Sequence, residues 1–342
     1  MGGHYMQTSR KDGKTDRSGP HFVVKTALTA ASAAVLVTGC AHVMKPSPAE
    51  REAHIIEELQ KSGLIQDRLT ALELQSGGRM GVAVIGPEGK LLVGYRADER
   101  FAMCSTFKTL LAANVLRKVD RRTLSLRKRI AYGPGELQEY APAAKRHFDE
   151  KRNRGTMTVM QLAEASVVES DNSAANLLLG QIGGPEEITR FARSLGDMQT
   201  RLDRNEPTLN ENGLGDERDT TTPVAMAKLN QKIVFGTVLR PNSRQRLTNW
   251  LIESPTGAER IRAGLPTNWK AGSKTGSCGN AYNDVAIAWD AHGHPVVMAV
   301  YLDRPSKTGP DANKVIADVA RLVSGNGMTE AIQPLSDKLA AQ

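Results

Sequence analysis

Strand-forming segments stand at both ends of the region after residue 63, and helix-forming sequence lies between them. Two β-rich runs, 80–85 and 90–95, flank a Gly-Pro-Glu-Gly turn, and three more occupy 269–278, 284–290 and 295–303. Because an isolated hairpin is only marginally stable in water, the two groups most simply join into one sheet. The sequence therefore predicts an α/β (α+β) fold. A five-stranded antiparallel sheet built from both ends would be covered by terminal helices and would carry an all-helical insertion.

The composition divides the chain into four segments. They are a leader over 1–40, a spacer over 41–63, a folded domain over 64–325 and a tail over 326–342. Within the folded domain, the sheet part would take about 64–103 and 261–325, and the helical part about 104–260. We expect a cleft between the two parts, a common location for a binding site.

The N-terminus resembles an export signal. A basic segment precedes an uncharged run over 26–37, which is too short for the roughly 20 residues that span a bilayer. The run ends in Gly39-Cys40, which is similar to a bacterial lipobox, in which the cysteine carries the lipid. We therefore expect an exported, periplasmic protein whose contact with membrane is limited to a lipid anchor on Cys40.

Charge and composition exclude several classes of protein. The formal net charge is +8, and much of the excess lies between Arg117 and Arg154. No aromatic residues interleave with these cations as in single-strand nucleic-acid binders, so a solvated helix face is the favoured interpretation and no nucleic-acid partner is expected. The close pair His292 and His294 lies at a predicted hairpin turn, which disfavours a metal-dependent enzyme. We expect neither a metal nor a cofactor.

A serine and a lysine three residues apart begin the helical part. Ser105 and Lys108 would lie on one helix face, where a partly desolvated lysine can accept the proton of a serine hydroxyl. The pattern alone is weak, since Ser125 and Lys128 repeat it within a run of like charges. We interpret that second pair as solvated.

Two further motifs follow in order. Ser170-Asp171-Asn172 comes first, and Lys274-Thr275-Gly276 lies in a predicted strand. A second Lys-Thr-Gly triplet at Lys307 stands between prolines and more simply begins a helix. The order and spacing therefore favour a set of Ser105, Ser170 and Lys274.

A carboxylate and an amide four residues apart complete the pattern. Glu206 and Asn210 lie in a loop that an ion pair between Arg204 and Asp219 would close. A buried carboxylate beside an amide can hold and deprotonate a water molecule. We expect this pair to act on water near Ser105.

Together these four motifs resemble the class A serine β-lactamases over residues 64–325. The resemblance implies a sheet with a helical insertion, and a catalytic role for that domain. It also implies that Ser105 forms an acyl-enzyme, with Lys108, or Glu206 through water, as the acylation base. Ser170 would protonate the departing nitrogen and Lys274 would stabilise charge beside it. Glu206 and Asn210 would position the hydrolytic water.

The same resemblance implies a set of substrate contacts. Asn172 would hold the substrate's side-chain amide, the backbone N–H groups of Ser105 and Ser277 would form the oxyanion hole, and Tyr140 would stand at the cleft rim. Many family members bind the substrate carboxylate through an arginine on the strand after the lysine triplet, where this chain has none. Arg260 is similar to the alternative source, with Thr275 and Ser277 assisting, whereas Arg262 is a structural candidate.

Cys104 and Cys278 stand beside the nucleophile and just after the lysine triplet. In an oxidising periplasm they would form a disulfide across the predicted cleft. The pair resembles the one in the carbapenem-hydrolysing members of the family.

The sequence thus predicts a monomeric serine β-lactamase (β-lactam amide hydrolase) that acts on penicillins, cephalosporins and, by the disulfide resemblance, carbapenems. Two alternatives remain open. A penicillin-binding DD-peptidase shares the serine and lysine motifs but lacks the Glu206 loop. A tethered β-lactam sensor would acylate without turnover and would need a coupled membrane or signalling segment.

Overall fold

The five predicted strands form one antiparallel sheet in the computed structural model, which describes residues 63–325 of the chain. The strands are β1 (Arg79–Ile85), β2 (Leu91–Tyr95), β8 (Lys270–Cys278), β9 (Ala281–Trp289) and β10 (Pro295–Asp303). Their order across the sheet is β2-β1-β10-β9-β8. The prediction that both ends of the domain share one sheet is confirmed, and β8 is an edge strand.

Side-chain alternation along the strands builds two separate cores. In β1, Met80 and Val82 face one hydrophobic cluster, whereas Ala83 and Ile85 face the other, as the two-residue period of a strand requires. The first cluster lies under the terminal helices α1 (63–76) and α10 (Pro310–Val323). The second cluster joins the sheet to the helical part.

The segment between β2 and β8 is mainly helical. Its helices are α2 (Phe107–Asp120), α3 (Pro142–Arg146), α4 (Val159–Val168), α5 (Asn172–Ile182), α6 (Glu186–Ser194), α7 (Pro223–Val234), α8 (Pro241–Glu253) and α9 (Ile261–Gly264). The helix α2 is buried over most of its length, from Phe107 to Leu116. Since α2 packs against α4, α5, α6, α7 and α8, it holds its first turn in a fixed position against the sheet.

Two small sheets correct the prediction of an all-helical insertion. One has the order β4 (Arg129–Tyr132), β6 (Arg154–Thr158) and β5 (Phe148–Asp149), and the other pairs β3 (Phe101–Ala102) with β7 (Thr220–Thr221). Strands of two to five residues have too few positions to show a two-residue period, so the sequence did not reveal them. The basic loop over 149–154 is the turn of the β5–β6 hairpin.

The start of β9 also differs from the prediction. The strand begins at Ala281, three residues earlier than expected, because Cys278 pairs directly with Ala281 and leaves a two-residue turn. Gly279 in this turn has a φ of +58°, a conformation that glycine adopts without steric cost. The short hairpin extends β8 and β9 to the mouth of the cleft.

The predicted leader, the lipidation site Cys40, nearly all of the spacer and the tail over 326–342 lie outside the described residues. The described residues belong to the unit Glu52–Gln342. Among residues 63–325, none of the helices has both the length and the apolar character that a membrane crossing requires.

Candidate active site

The first element of the candidate site is a short turn at the base of α2. Ser105 lies in a 3-10 turn, Cys104–Thr106, that leads directly into α2. The Thr106 hydroxyl donates to the Met103 carbonyl at 2.8 Å and lies 3.1 Å from the hydroxyl of Tyr301 in β10. The turn is thereby anchored to the central sheet, with Ser105 partly exposed to the cleft.

The Lys108 amine is buried beside the Ser105 hydroxyl. Lys108 is fully buried, and its Nζ lies 3.0 Å from Ser105 Oγ, 2.8 Å from the Ser170 carbonyl and 2.5 Å from Asn172 Oδ1. Burial lowers the pKa of Lys108, although the nearby charge of Glu206 opposes this effect. Lys108 Nζ donates to the Ser105 hydroxyl, so the amine and the candidate nucleophile are in direct contact.

Glu206 reaches the same amine from the opposite side. Its side chain is buried, and Oε1 lies 3.0 Å from Lys108 Nζ, an ion pair that lacks hydrogen-bond geometry. The other oxygen, Oε2, accepts from Asn210 Nδ2 at 2.6 Å. Within residues 63–325, neither Glu206 Oε1 nor Asn210 Oδ1 accepts a hydrogen bond, although both atoms are buried. Two buried acceptors side by side are suited to a molecule with two O–H groups.

The predicted ion pair closes the Glu206 loop. Arg204 Nε donates to Asp219 Oδ2 at 2.6 Å, and the backbone N–H groups of Asp203 and Arg204 donate to Asp219 Oδ1. Sequence reasoning missed Asn176 of α5, whose amide accepts from the Glu206 N–H at 3.0 Å and donates to the Glu206 carbonyl at 2.8 Å. The sequence contains only a weak indication of Asn176, because it is simply an amide residue one helical turn after Asn172.

The Ser170–Asn172 turn forms the opposite side of the site. Ser170 has a φ of +59°, and Asp171 caps α5 by accepting from the backbone N–H of Ala174. The second oxygen of Asp171 accepts from the N–H groups of Ala143 and Ala144 at 2.9 Å. One buried carboxylate thus ties the turn to α3 and α5 and fixes the serine between two lysines.

Lys274 reaches this turn from the sheet. It lies in β8, is fully buried, and donates to Ser170 Oγ at 2.9 Å and to the Thr275 carbonyl at 2.7 Å. Burial, assisted by the charge of Lys108, holds the pKa of Lys274 well below its usual range. The structure thus brings together all five predicted catalytic candidates, Ser105, Lys108, Ser170, Glu206 and Lys274.

The edge strand β8 approaches the Ser105 turn closely at Gly276. A Cβ atom there would stand 2.7 Å from the Met103 carbonyl oxygen and 3.1 Å from the Ser105 nitrogen. Only glycine allows this close approach of β8 to the Ser105 turn, one residue before Ser277. An edge strand leaves alternate N–H groups unpaired in the sheet, as an oxyanion hole requires.

Arg260 lies next to Ser277. Its Nη2 donates to Ser277 Oγ at 2.7 Å, while its other nitrogens donate to Asn313 Oδ1 and to the carbonyls of Gly276 and Asn283. Burial lowers the pKa of Arg260. Arg260 is therefore held beside β8, where its charge reaches the cleft through the Ser277 hydroxyl.

The other predicted residues near Arg260 differ in what they contact. Arg262 donates to the carbonyls of Ile252 and Ser254, which is a structural role. Thr275 donates to Thr256, a partner that the sequence did not indicate. Tyr140 is 54% exposed, and its carbonyl accepts from the Asn172 N–H at 3.0 Å, so it stands at the rim of the site.

The predicted disulfide is present. Cys104 and Cys278 are bonded with their Cα atoms 5.7 Å apart, and the bridge spans 174 residues of sequence. The amide of Asn283, in the neighbouring strand β9, donates to the Ala102 carbonyl at 2.9 Å. A covalent link from β8 and a polar link from β9 therefore hold this end of the sheet against the segment that contains Ser105.

Comparison with known proteins agrees with this geometry. A family model described as a β-lactamase enzyme family matches residues 64–326. The β-lactamase Toho-1 of Escherichia coli is 42% identical and OXY-2 of Klebsiella oxytoca 41% identical, each over 261 residues, 76% of this chain and 88% of the relative.

Solved structures show the same relationship. An ancestral class A β-lactamase (GNCA) is 48% identical, with a TM-score of 0.72 over 76% of this chain and 98% of that one. A second ancestral structure, the last common ancestor of Gram-negative bacteria (GNCA4), is 48% identical with a TM-score of 0.73. Sequence and fold agree over the whole described domain, and the chain therefore belongs to the β-lactamase enzyme family as a class A serine β-lactamase.

Proposed function

We propose that this chain hydrolyses β-lactams through a covalent ester on Ser105. The observation that carries the proposal is the buried contact of 3.0 Å between Lys108 Nζ and Ser105 Oγ, with the Glu206 carboxylate 3.0 Å from the same amine. A nucleophile, a desolvated base and a carboxylate that can act on water lie around one point. This set is what formation and hydrolysis of an ester require.

Acylation begins with attack of Ser105 Oγ on the lactam carbonyl carbon. The hydroxyl proton passes to the neutral Lys108 amine, and the carbonyl oxygen becomes an oxyanion held by the N–H groups of Ser105 and Ser277. The C–N bond then breaks, and the ring nitrogen takes a proton from the Ser170 hydroxyl. Ser170 regains that proton from Lys108, whose Nζ lies 3.5 Å from Ser170 Oγ. Lys274, at 2.9 Å from the same oxygen, stabilises the negative charge that develops there.

Hydrolysis of the ester uses the other side of the site. A water molecule that donates to Glu206 Oε1 and Asn210 Oδ1 satisfies two buried acceptors and stands next to Ser105. Glu206 removes a proton from this water as the oxygen attacks the ester carbonyl. The bond to Ser105 Oγ then breaks, Ser105 takes a proton from Lys108, and Lys108 recovers one from Glu206, 3.0 Å away. The Glu206 loop therefore distinguishes a hydrolase from a protein that is only acylated.

Substrate recognition follows from the cleft walls. Arg260, Ser277 and Thr275 form a hydroxyl-lined cationic corner that suits the carboxylate on the second ring of penicillins and cephalosporins. Asn172 accepts from Lys108 through Oδ1, which leaves its Nδ2 group to donate to the substrate's side-chain amide. Tyr140 would cover the substrate from the rim.

Carbapenems are included among the proposed substrates because of the disulfide between Cys104 and Cys278. Its position beside Ser105 resembles that in the carbapenem-hydrolysing members of the family. The protein would act as an exported, periplasmic monomer with a lipid anchor on Cys40. Export and the anchor rest on the sequence of the leader.

The decisive experiment separates acylation from turnover. In Glu206→Gln, a chromogenic cephalosporin should give one stoichiometric burst and an acyl-enzyme visible by intact-protein mass spectrometry, whereas the wild type should turn over continuously. Glu211→Gln is the matched control, since Glu211 is on the same loop but contacts Arg204. A wild type that shows only the burst would reject the hydrolase in favour of the DD-peptidase or the sensor.

A panel of substrates completes the test. We expect turnover of a penicillin, a cephalosporin, an oxyimino-cephalosporin and a carbapenem by the wild type. A stable carbapenem acyl-enzyme without turnover would remove carbapenems from the proposal and leave the rest intact.

A further inference from the structure

A groove lined by arginines lies between the end of α2 and the start of α8. Its main cavity, about 540 Å³, is lined by Arg117 of α2 and Arg121 just after it, and by Arg244 of α8 and Arg240 just before it. An adjoining cavity of about 430 Å³ is lined by Arg122 and again by Arg240. We call these five residues the arginine groove. None of them takes part in the β-lactam site.

The charges of the groove are not neutralised within residues 63–325. Arg117 donates to the Ser194 hydroxyl and Arg244 to the Gly236 carbonyl, so both are held by uncharged acceptors, and none of the five forms an ion pair. The acid in the lining, Asp120, is occupied by the Ser243 hydroxyl at 2.6 Å and the Arg240 backbone N–H at 2.8 Å. The lining of the groove therefore contains five guanidinium groups and one carboxylate, and that carboxylate is bonded to Ser243 and to the backbone of Arg240.

The placement of these arginines is unfavourable for a solvated helix surface. Arg117 and Arg121 are one turn apart, as are Arg240 and Arg244, and like charges at this spacing repel. Arg117 and Arg121 at least stand at the C-terminal end of α2, where cations are favoured. Arg240 and Arg244 stand at the N-terminal end of α8, where the helix dipole is positive and Asp120 from the end of α2 is the carboxylate bonded there.

The electrostatics of Arg117 agree with this picture. Its pKa is lowered, first by burial and then by the charge of Arg121, while the charge of Glu187 opposes the shift. Its guanidinium also lies 4.4 Å from the centre of the Phe191 ring, which fixes its position beside the groove. The groove is thus a preformed arrangement of donors whose repulsion an anion would relieve.

We propose that the arginine groove binds a phosphate dianion, either a free phosphate or the phosphomonoester headgroup of a lipid. Guanidinium groups bind phosphate oxygens in pairs, and the two adjoining cavities are lined by five of them beside the one carboxylate of Asp120. The cavity is large enough for the phosphate together with the first atoms of the group that carries it.

The test measures phosphate binding to the full chain by isothermal titration, in parallel with sedimentation on vesicles of phosphatidic acid or of phosphatidylcholine. Arg121→Gln/Arg240→Gln removes two exposed members of the groove, whereas Arg127→Gln/Arg129→Gln removes the same charge from exposed positions outside it. We expect the first double variant to weaken phosphate or phosphatidic acid binding by about tenfold or more. The second should bind as the wild type does.

Cephalosporin turnover serves as the folding control, and it should be the same in all three proteins. Binding of inorganic phosphate would assign a free anion, and binding only to phosphatidic acid vesicles would assign the lipid headgroup. The proposal is overturned if the wild type binds neither, or if both double variants lose affinity equally. Because turnover is read separately, failure of this site would leave the proposed hydrolysis untouched.

Discussion

The Ser-x-x-Lys pattern occurs twice within 24 residues, and the two copies have opposite surroundings. In the first, Lys108 is fully buried and in contact with Ser105, Ser170 and Asn172. In the second, Ser125 and Lys128 are exposed in the loop after α2, and among residues 63–325 the Ser125 hydroxyl accepts only from the Arg127 backbone N–H. The same side chains become a reactive pair only where the fold removes water and supplies acceptors.

The largest effect on activity is expected when the two serines of this pattern, Ser105 and Ser125, are replaced in turn. Ser105→Ala removes the proposed nucleophile, so it should abolish the acyl-enzyme and lower kcat by about 10⁴-fold or more. Ser125→Ala should leave kcat unchanged and the free energy of unfolding within about 0.5 kcal/mol of the wild type. Cephalosporin turnover and intact-protein mass spectrometry check both variants. Retained acylation in Ser105→Ala would contradict the assignment of the nucleophile.

The two Lys-Thr-Gly triplets allow a second comparison. Lys274 is buried in β8 and donates to Ser170, whereas Lys307 lies in the partly exposed turn before α10. Lys274→Ala removes the amine that donates to Ser170 Oγ, where the proposed mechanism develops negative charge, and should lower kcat/KM by about 10²- to 10³-fold. Lys307→Ala should have no effect on kcat/KM. A thermal melt of each variant checks that the fold is retained. An equal loss of kcat/KM in the two variants would contradict the distinction between Lys274 and Lys307.

These repeats show what a sequence can reveal about a site. The order of the motifs and the strand character around Lys274 were enough to choose between the copies, because burial follows from the hydrophobic pattern. The sequence could not predict the contact of Lys108 with the Ser170 carbonyl or that of Asn176 with Glu206. Both contacts depend on how α2, α5 and the Glu206 loop pack together. Short strands such as β6, with the sequence RGTMT, were missed because tertiary pairing decides them.

The disulfide next to the first pair provides the third comparison. The bridge between Cys104 and Cys278 closes a separation of 174 residues, so its loss should lower the free energy of unfolding by about 2–5 kcal/mol. Denaturant titration of Cys104→Ala/Cys278→Ala measures the loss, and a reductant should have no effect on that variant. In the wild type, denatured without reductant, neither cysteine should react with a thiol reagent. Labelling of both would contradict the bridge.

The smallest expected effect addresses which group is the base in acylation. The Glu206 carboxylate raises the pKa of Lys108 against the lowering effect of burial, so its removal in Glu206→Gln should lower that pKa further. If the neutral amine is the base, a larger neutral fraction at low pH should move the acid limb of the acylation rate to lower pH. The burst-phase rate constant, measured from pH 4 to pH 8, reports this shift, and Glu211→Gln should leave the profile unchanged. If Glu206 acts through water instead, Glu206→Gln should slow acylation at every pH and leave no such shift. The direction of one titration limb therefore decides between Lys108 and Glu206, the two bases that the sequence left open.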